Sequence, residues 1–556
     1  MKTHRLLRSL RPWLERILLS IVVALLLITP DYLFSFAYPA YPIAFNSEGF
    51  LVYCLLAFLI TGLGNGHAFR IAVAFMAMLQ LGQFLHFAYF GTMIMPYEIG
   101  LLFEEWGEIW QSLAAFGWHA MYPVLAVVIP AGAIIRLRHA GRERLPRMPL
   151  ALPLLIGVLS ILPYRAYRGD ATQAFYPSPL EFSIRNTLYA VSCRAGQALP
   201  GAHHRATSPQ AFSPYRLVSL SDKAPPTIVV VMGESLTYSH MSLFGYGRTT
   251  TPWLDSMRGD PYFVARPAIA SGVTTKVSLP TFFIVLREPG NTIHLVRYET
   301  NLFKMAKTRG MSTHYISAQN ANLATYAGIE YADQLVTHES LGGAFEKDKD
   351  FSLLPYLEGL DLARPNFIVL HQRNSHGPYE ESSVRDYDAW PLPQYADRRT
   401  YAVGTYDNSI RTTDAFLKRL WADLNRMAQG PVYLFMTSDH GEMMGEGGRF
   451  GHNALTPEVV RVPFLFAAIK GDPAVVARIR AMEHPTHYEI SREIARLIGY
   501  GIDNPNERNK HYYVNGIDLD NPGSCLALVK DATLPEGWRQ VQDALCTLNA
   551  PRARQG

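Results

Sequence analysis

The sequence predicts two unlike halves. An α-helical membrane domain of five transmembrane helices spans 1–165, an α/β domain spans 226–556, and residues 166–225 bridge them. Three observations carry this expectation. Apolar runs near the ~20 residues that cross a bilayer core crowd the first 165 positions. From Thr227 onward, short β-branched and aromatic runs alternate with helical patterns. Lys and Arg are shared very unevenly among the connecting loops. A chain of 556 residues also exceeds what one core can hold. Charged residues make up only 18% and aromatics 12%. Mean hydropathy is nonetheless close to zero, because the two halves cancel.

Membrane helices are expected near 17–37, 50–66, 69–91, 119–137 and 148–164. The first, third and fourth approach or exceed the ~20-residue span. The second, FLVYCLLAFLITGLG, and the fifth, MPLALPLLIGVLSILPY, are shorter and need flanking polar atoms to snorkel. A cleaved leader would lack the further apolar spans that follow the first. The N-terminus carries Lys2, Arg5, Arg8, Arg11 and Arg16, and the loop RLRHAGRERLPR before the fifth helix is arginine-rich. Loops 38–49 and 92–118 contain no Lys or Arg. The positive-inside rule then puts the N-terminus and the arginine loop in the cytoplasm and everything after Tyr164 outside. Segment 92–118, with Glu98, Glu104, Glu105 and Glu108 set among apolar residues, reads either as amphipathic helices at the outer interface or as a packing loop.

The runs TIVVVMGES, STHYISA, NFIVLHQ, VYLFMTSDH and VPFLFAAI suit buried strands. Phe416, Leu420, Leu424 and Met427 mark a helix before the fourth run. Such alternation argues for a sheet covered on both faces. Cys193, Cys525 and Cys546 fall outside the membrane, where disulfides persist, and Cys525 and Cys546 can pair to staple the C-terminal tail. No cysteine cluster has structural-zinc spacing, and a net charge of +4 is too small to suggest nucleic acid.

In an open α/β sheet, ligands bind beyond the carboxyl ends of strands. Here the first run ends at Glu234, and the third is followed by HQRNSHGPY with His371 and His376. The fourth ends at Asp439 and His440, with His452 after a glycine-rich loop. A lone glutamate after a strand is usually a helix-start residue, and a lone loop histidine is usually solvated. Four strand-end sites of this chemistry are hard to explain separately. Oxygen and nitrogen ligands without thiolate suit zinc or manganese in a catalytic site. The stretch ASGVTTKVSLPTFF offers nucleophiles in Ser271, Thr274, Thr275 and Ser278, whose hydroxyls need a metal or base to react.

MGESLTYSHMSLFGYGRTTTPWLDSM resembles the opening of the alkaline-phosphatase-like catalytic domain, most of all that of bacterial phosphoethanolamine transferases. Those enzymes carry Gly-Glu after the first strand and then G-Y-x-R-x-T-x-P. TTKVSLP is similar to their nucleophile motif, a threonine five residues before a proline. HQRNSHGPY and TSDHGEMMGEGGRFGH are similar to their two histidine motifs, and five helices before an external enzyme fit as well. The resemblance implies Thr275 as nucleophile and zinc held by Glu234, Thr275, Asp439 and His440, with one tight site and a second possible. It implies that His376 and His452 bind the phosphoryl group, assist the leaving group or hold the second zinc. Lys276 adds charge beside the nucleophile, and Asn320 falls near the family's substrate region.

The implied reaction moves phosphoethanolamine from phosphatidylethanolamine onto Thr275, releases diacylglycerol, and passes the group to an envelope acceptor. Its implied place is the bacterial inner membrane, multi-pass among membrane lipids, with the catalytic domain in the periplasm. The same scaffold serves phosphoglycerol transferases and lipid phosphodiesterases, which are the alternative. The sulfatase motif C/S-x-P-S-R is absent, and all six site positions hold competent residues, unlike a dead scaffold. Lipid A-modifying members often flank the nucleophile with a cysteine pair. This chain has Ser271 and Thr281 there, so lipid A, core sugar and glucan all stay open as acceptors.

Overall fold

The structure is a computed structural model. It describes every residue except 1, 42, 44, 97, 105, 142–147, 170–174, 176, 179–180, 201–211, 292–298, 325–326, 392–396, 518–524, 535 and 548–556. Half of the arginine-rich loop, 142–147, therefore lies outside the described residues. The chain divides into two compact units, Met1–Arg205 with Gly447–Phe450, and Ala206–Glu446 with Gly451–Gly556.

The first unit is helical: α1 (Lys2–Ala37), α2 (Ser47–Gly62), α3 (Gly66–Phe90), α4 (Glu98–Glu104), α5 (Trp106–Phe116), α6 (Met121–Gly141), α7 (Ala151–Tyr167) and α8 (Ser183–Gln197). Asn46 and Asn65 cap α2 and α3 by accepting the amides of Glu48 and His67, and α3 stops at Gly91 in the left-handed region. Leu27 of α1, Leu56 and Ile60 of α2, and Val73 and Met76 of α3 share one core. The outward faces are apolar too, with Leu18, Leu55, Ile71, Ile129 and Ile156 exposed. A helix apolar all round belongs in a large core or a membrane. Among the described residues, three spans are long and apolar enough to cross one, Arg11–Ala37, Gly66–Phe90 and Gly117–Arg138, while Ser47–Gly62 and Ala151–Tyr167 are shorter apolar helices.

The bridging segment contains α8, which the sequence reading passes over. Its apolar signal is weak because α8 buries small and polar residues, Ser183, Asn186, Thr187, Ala190 and Gly196. A Cβ at Gly196 would sit 2.2 Å from the Pro163 carbonyl oxygen, so glycine permits the close approach of α7. Segment 92–118 forms α4 and α5, with Trp106 and Trp110 exposed.

The second unit is built on a seven-stranded sheet: β1 (Thr227–Gly233), β2 (Phe263–Ile269), β3 (Ser312–Ser317), β4 (Gln334–Val336), β5 (Asn366–His371), β6 (Val432–Ser438) and β7 (Arg461–Ile469). Their spatial order is β2-β7-β6-β1-β5-β3-β4. The strands from β6 to β4 run parallel, and β7 is antiparallel to both its neighbours. Along β1, Ile228, Val230 and Met232 enter the core on one face, and Val229 and Val231 enter the core on the other. Each buried side chain of that size contributes roughly 1.5–3 kcal/mol, which is why β1 is continuously apolar rather than alternating. Beyond this sheet, β8 (Tyr512–Asn515), β9 (Cys525–Lys530) and β10 (Trp538–Val541) form a three-stranded ribbon, and Cys525 is disulfide-bonded to Cys546.

Candidate active site and metal centre

Register places the site. Gly233 of β1 pairs with Ser438 of β6, so Glu234 and Asp439 leave adjacent parallel strands at the same level. The Asp439 amide then donates to Gly233 O at 3.1 Å, carrying the ladder one step past the strands. Ser317 of β3 pairs with His371 of β5, which aligns the next two strand ends with them. The helix α9 (Thr275–Phe283) starts at this edge, with Thr274 as its extended N-cap and Thr275 as its first residue.

Thr275 Oγ1 lies at the junction. It donates to Asp439 Oδ2 at 2.7 Å and stands 3.5 and 3.4 Å from Glu234 Oε1 and Oε2, and 3.4 Å from His440 Nε2. His440 Nε2 is 3.2 Å from Asp439 Oδ2 and 3.6 Å from Glu234 Oε1. Glu234, Asp439 and His440 are all buried. The ring orientation of His440 is set behind it, since Nδ1–H donates to Gly441 O at 3.0 Å. That leaves the Nε2 lone pair turned to the carboxylates. Burial pushes His440 below its ordinary pKa, against the pull of Asp439, and so favours this neutral form. Gly441 is required here, because a Cβ would lie 2.3 Å from Glu458 O.

The two oxygens of Asp439 are divided. Oδ1 accepts from the amides of Ser235 at 3.1 Å and His440 at 2.7 Å and from Ser438 Oγ at 3.3 Å. Oδ2 faces Thr275 and His440. Two carboxylates and an imidazole lone pair thus converge with one hydroxyl proton among them. Without a cation they repel, and their oxygen and nitrogen chemistry fits zinc. Their ligand atoms lie within 4.8 Å of one another.

A second group, His440, Glu442 and His452, meets the same criterion. His452 Nδ1 donates to Glu442 Oε2 at 3.0 Å, and Tyr379 O–H donates to Glu442 Oε1 at 2.9 Å. Burial pushes the Glu442 carboxyl up to about 7. The His440 and His452 rings lie 4.2 Å apart, and His376 is 6.1 Å from His452 with its Nδ1–H on Gly377 O at 2.8 Å. Ser235, Ser375 and Asn453 all have positive φ and directly adjoin Glu234, His376 and His452. Strained backbone of this kind collects where side chains must be aimed.

Of the residues singled out from sequence, Glu234, Thr275, Asp439 and His440 come together, with His452 and His376 beside them. Lys276 follows Thr275 in the first turn of α9, half-buried. Asn320 is half-buried beyond β3 and has no hydrogen bond to the cluster. His371 turns into the core instead, with Nδ1 2.7 Å from Tyr315 Oη, and burial lowers its pKa to about 4. Ser271 and Thr281, at the positions of the expected cysteine pair, have their hydroxyls 2.6 Å apart, with His487 Nδ1 3.1 Å from Ser271 Oγ. The GYGRTTTP segment works as an anchor. Tyr246, Arg248 and His240 all bond buried Asp407 of the long helix α10 (Arg398–Met427) at 2.8–2.9 Å. Gln319, Glu442, Tyr379 and Asp407 were not found from sequence. Glu442 and Tyr379 carried a signal, since each lies within one of the two histidine motifs.

Residues 226–500 match the Sulfatase family model. Curated proteins similar to the chain include phosphoethanolamine transferases. The chain is 26% identical over 268 residues to the Kdo(2)-lipid A phosphoethanolamine 7''-transferase of Salmonella typhimurium, covering 45% of this chain and 46% of that protein. It is 24% identical over 337 residues to the phosphatidylethanolamine transferase Mcr-2 of Escherichia coli, covering 56% and 60%. The matches thus span about half the length of these curated relatives. Over 86% of this chain and 95% of the other, the fold is similar to the integral membrane lipooligosaccharide phosphoethanolamine transferase A of Neisseria meningitidis, with a TM-score of 0.55 and 18% identity.

Proposed function

We propose that the protein transfers phosphoethanolamine from phosphatidylethanolamine to an acceptor in the bacterial envelope, through a covalent intermediate on Thr275. The observation that carries this reading is Thr275 Oγ1 at the head of α9, in contact with Asp439, Glu234 and His440 together. Glu234, Asp439, His440 and Thr275 would hold zinc, which when bound lowers the pKa of an oxygen it touches and offsets charge on a phosphoryl group. Thr275 Oγ1 forms the new P–O bond while the bond to diacylglycerol breaks. The Thr275 hydroxyl, which donates to Asp439 Oδ2 at 2.7 Å, would give its proton up to solvent when the site holds the metal. The amides opening α9 favour the anionic phosphoryl group. His376 and His452, whose Nδ1 protons are committed to Gly377 O and Glu442, bind phosphoryl oxygens and move the proton of leaving group and acceptor. The similarity to a Kdo(2)-lipid A phosphoethanolamine transferase supports lipid A as acceptor, and core sugar or glucan fits the Ser271 and Thr281 departure.

The apolar helices hold the enzyme beside its lipid donor, with five crossings of the inner membrane and the α/β unit in the periplasm. Short crossings by α2 and α7 complete the count begun by the three long spans. The test is incubation of the purified full chain with phosphatidylethanolamine or phosphatidylglycerol in detergent, reading diacylglycerol release. Release from the ethanolamine lipid alone is expected, and release from the glycerol lipid alone would overturn the donor.

A further inference from the structure

Gln319 lies two residues past β3, buried, on a turn fixed from both sides. Its amide donates to Ser317 Oγ at 3.0 Å, and its carbonyl accepts from the His338 amide at 2.9 Å. From that fixed backbone, Nε2 reaches two acceptors, Glu234 Oε2 at 2.8 Å and Gln372 O at 3.0 Å. Both neighbours are acceptors, so the amide can face them only with its NH2. Ser235 Oγ meets the other Glu234 oxygen at 3.1 Å. The carboxylate is therefore gripped at both oxygens before anything binds between it, Asp439 and His440.

A free glutamate side chain loses rotamer freedom when a ligand fixes it. Gln319 removes much of that cost in advance. Glutamate at 319 would instead set two carboxylates 2.8 Å apart, able to coexist only by repulsion or by sharing a proton on a ligand oxygen. We infer that Gln319 is a positioning residue that aims Glu234 for metal capture, acting through the carboxylate rather than on substrate. This rests on the reading of Glu234 as a zinc ligand.

The experiment is zinc affinity of the full-length protein in detergent, measured by chelator competition, with thermal midpoints of the metal-free forms. Gln319→Met keeps the volume and deletes the donor. It should bind zinc about 10–100-fold more weakly, as loss of an outer partner of a metal ligand does, alongside a fall in the metal-free midpoint because Glu234 Oε2 and Gln372 O lose a buried donor. Turnover by Gln319→Met should return toward the wild-type kcat as zinc is raised to saturation. Gln319→Glu should bind more weakly still. Wild-type affinity in Gln319→Met would overturn the inference while leaving the zinc site standing. A fallen metal-free midpoint with unchanged zinc affinity would reduce Gln319 to a packing role. Absence of zinc binding in the wild type would instead remove the metal reading itself.

Discussion

Asp31 in the helical unit and Asp439 in the α/β unit are both fully buried, and they meet burial in opposite ways. Asp31 has both oxygens occupied. Oδ1 accepts from the Ser183 amide at 2.8 Å and Tyr41 O–H at 3.0 Å, and Oδ2 accepts from Ser183 Oγ at 2.9 Å and Gln80 Nε2 at 3.4 Å. Asp439 is saturated only at Oδ1, and its other oxygen meets a threonine hydroxyl and an imidazole lone pair. A carboxylate satisfied on every side ties elements together, here α1, α3 and the start of α8. Asp439 is held from behind and open in front. Burial alone does not separate these two aspartates, whereas the partition of donors between their oxygens does.

The sharpest way to break this contrast is to alter the two aspartates and compare what is lost. Asp439→Asn should abolish turnover and weaken zinc by more than the about 10–100-fold that follows loss of an outer partner, since a ligand itself is neutralised. Metal analysis and diacylglycerol release check it. Asp31→Ala should act on stability instead. It strands buried donors at roughly 1–3 kcal/mol each, so the thermal midpoint in detergent should fall markedly. Zinc content and turnover per folded molecule should stay near wild type. Loss of zinc in Asp31→Ala, or full zinc in Asp439→Asn, would erase the distinction. At the small end stands Thr274→Ala. Its Oγ1 is buried without a hydrogen bond, so turnover should stay within about twofold of wild type.

The same contrast explains what was legible in the sequence. Asp439, His440 and Glu234 stand out because polar residues close apolar strands, a local break in pattern. Thr275 could be separated from Thr274 only by family spacing, yet in the fold one hydroxyl meets the carboxylates and the other caps nothing. Gln319 and Asp407 leave no trace in the sequence. Glutamine and aspartate are common beside strands and on helices, and their partners lie 85 and more than 150 positions away. Their meaning arises from strand order and register, which are nonlocal. Helix α8 is hidden for a related reason, because its buried face mixes Ile184 with polar residues, of which Ser183 bonds Asp31 and Gln80.

The central claim is that Thr275 carries the transferred group. Intact-mass analysis of the full chain, after incubation with phosphatidylethanolamine and no acceptor, tests it most directly. The wild type and Thr274→Ala should each gain one phosphoethanolamine. Thr275→Ala should gain none while keeping its fold and part of its zinc. An adduct that survives in Thr275→Ala and vanishes in Thr274→Ala would move the nucleophile one residue. Turnover without an adduct in any form, on rapid quenching, would contradict the covalent route.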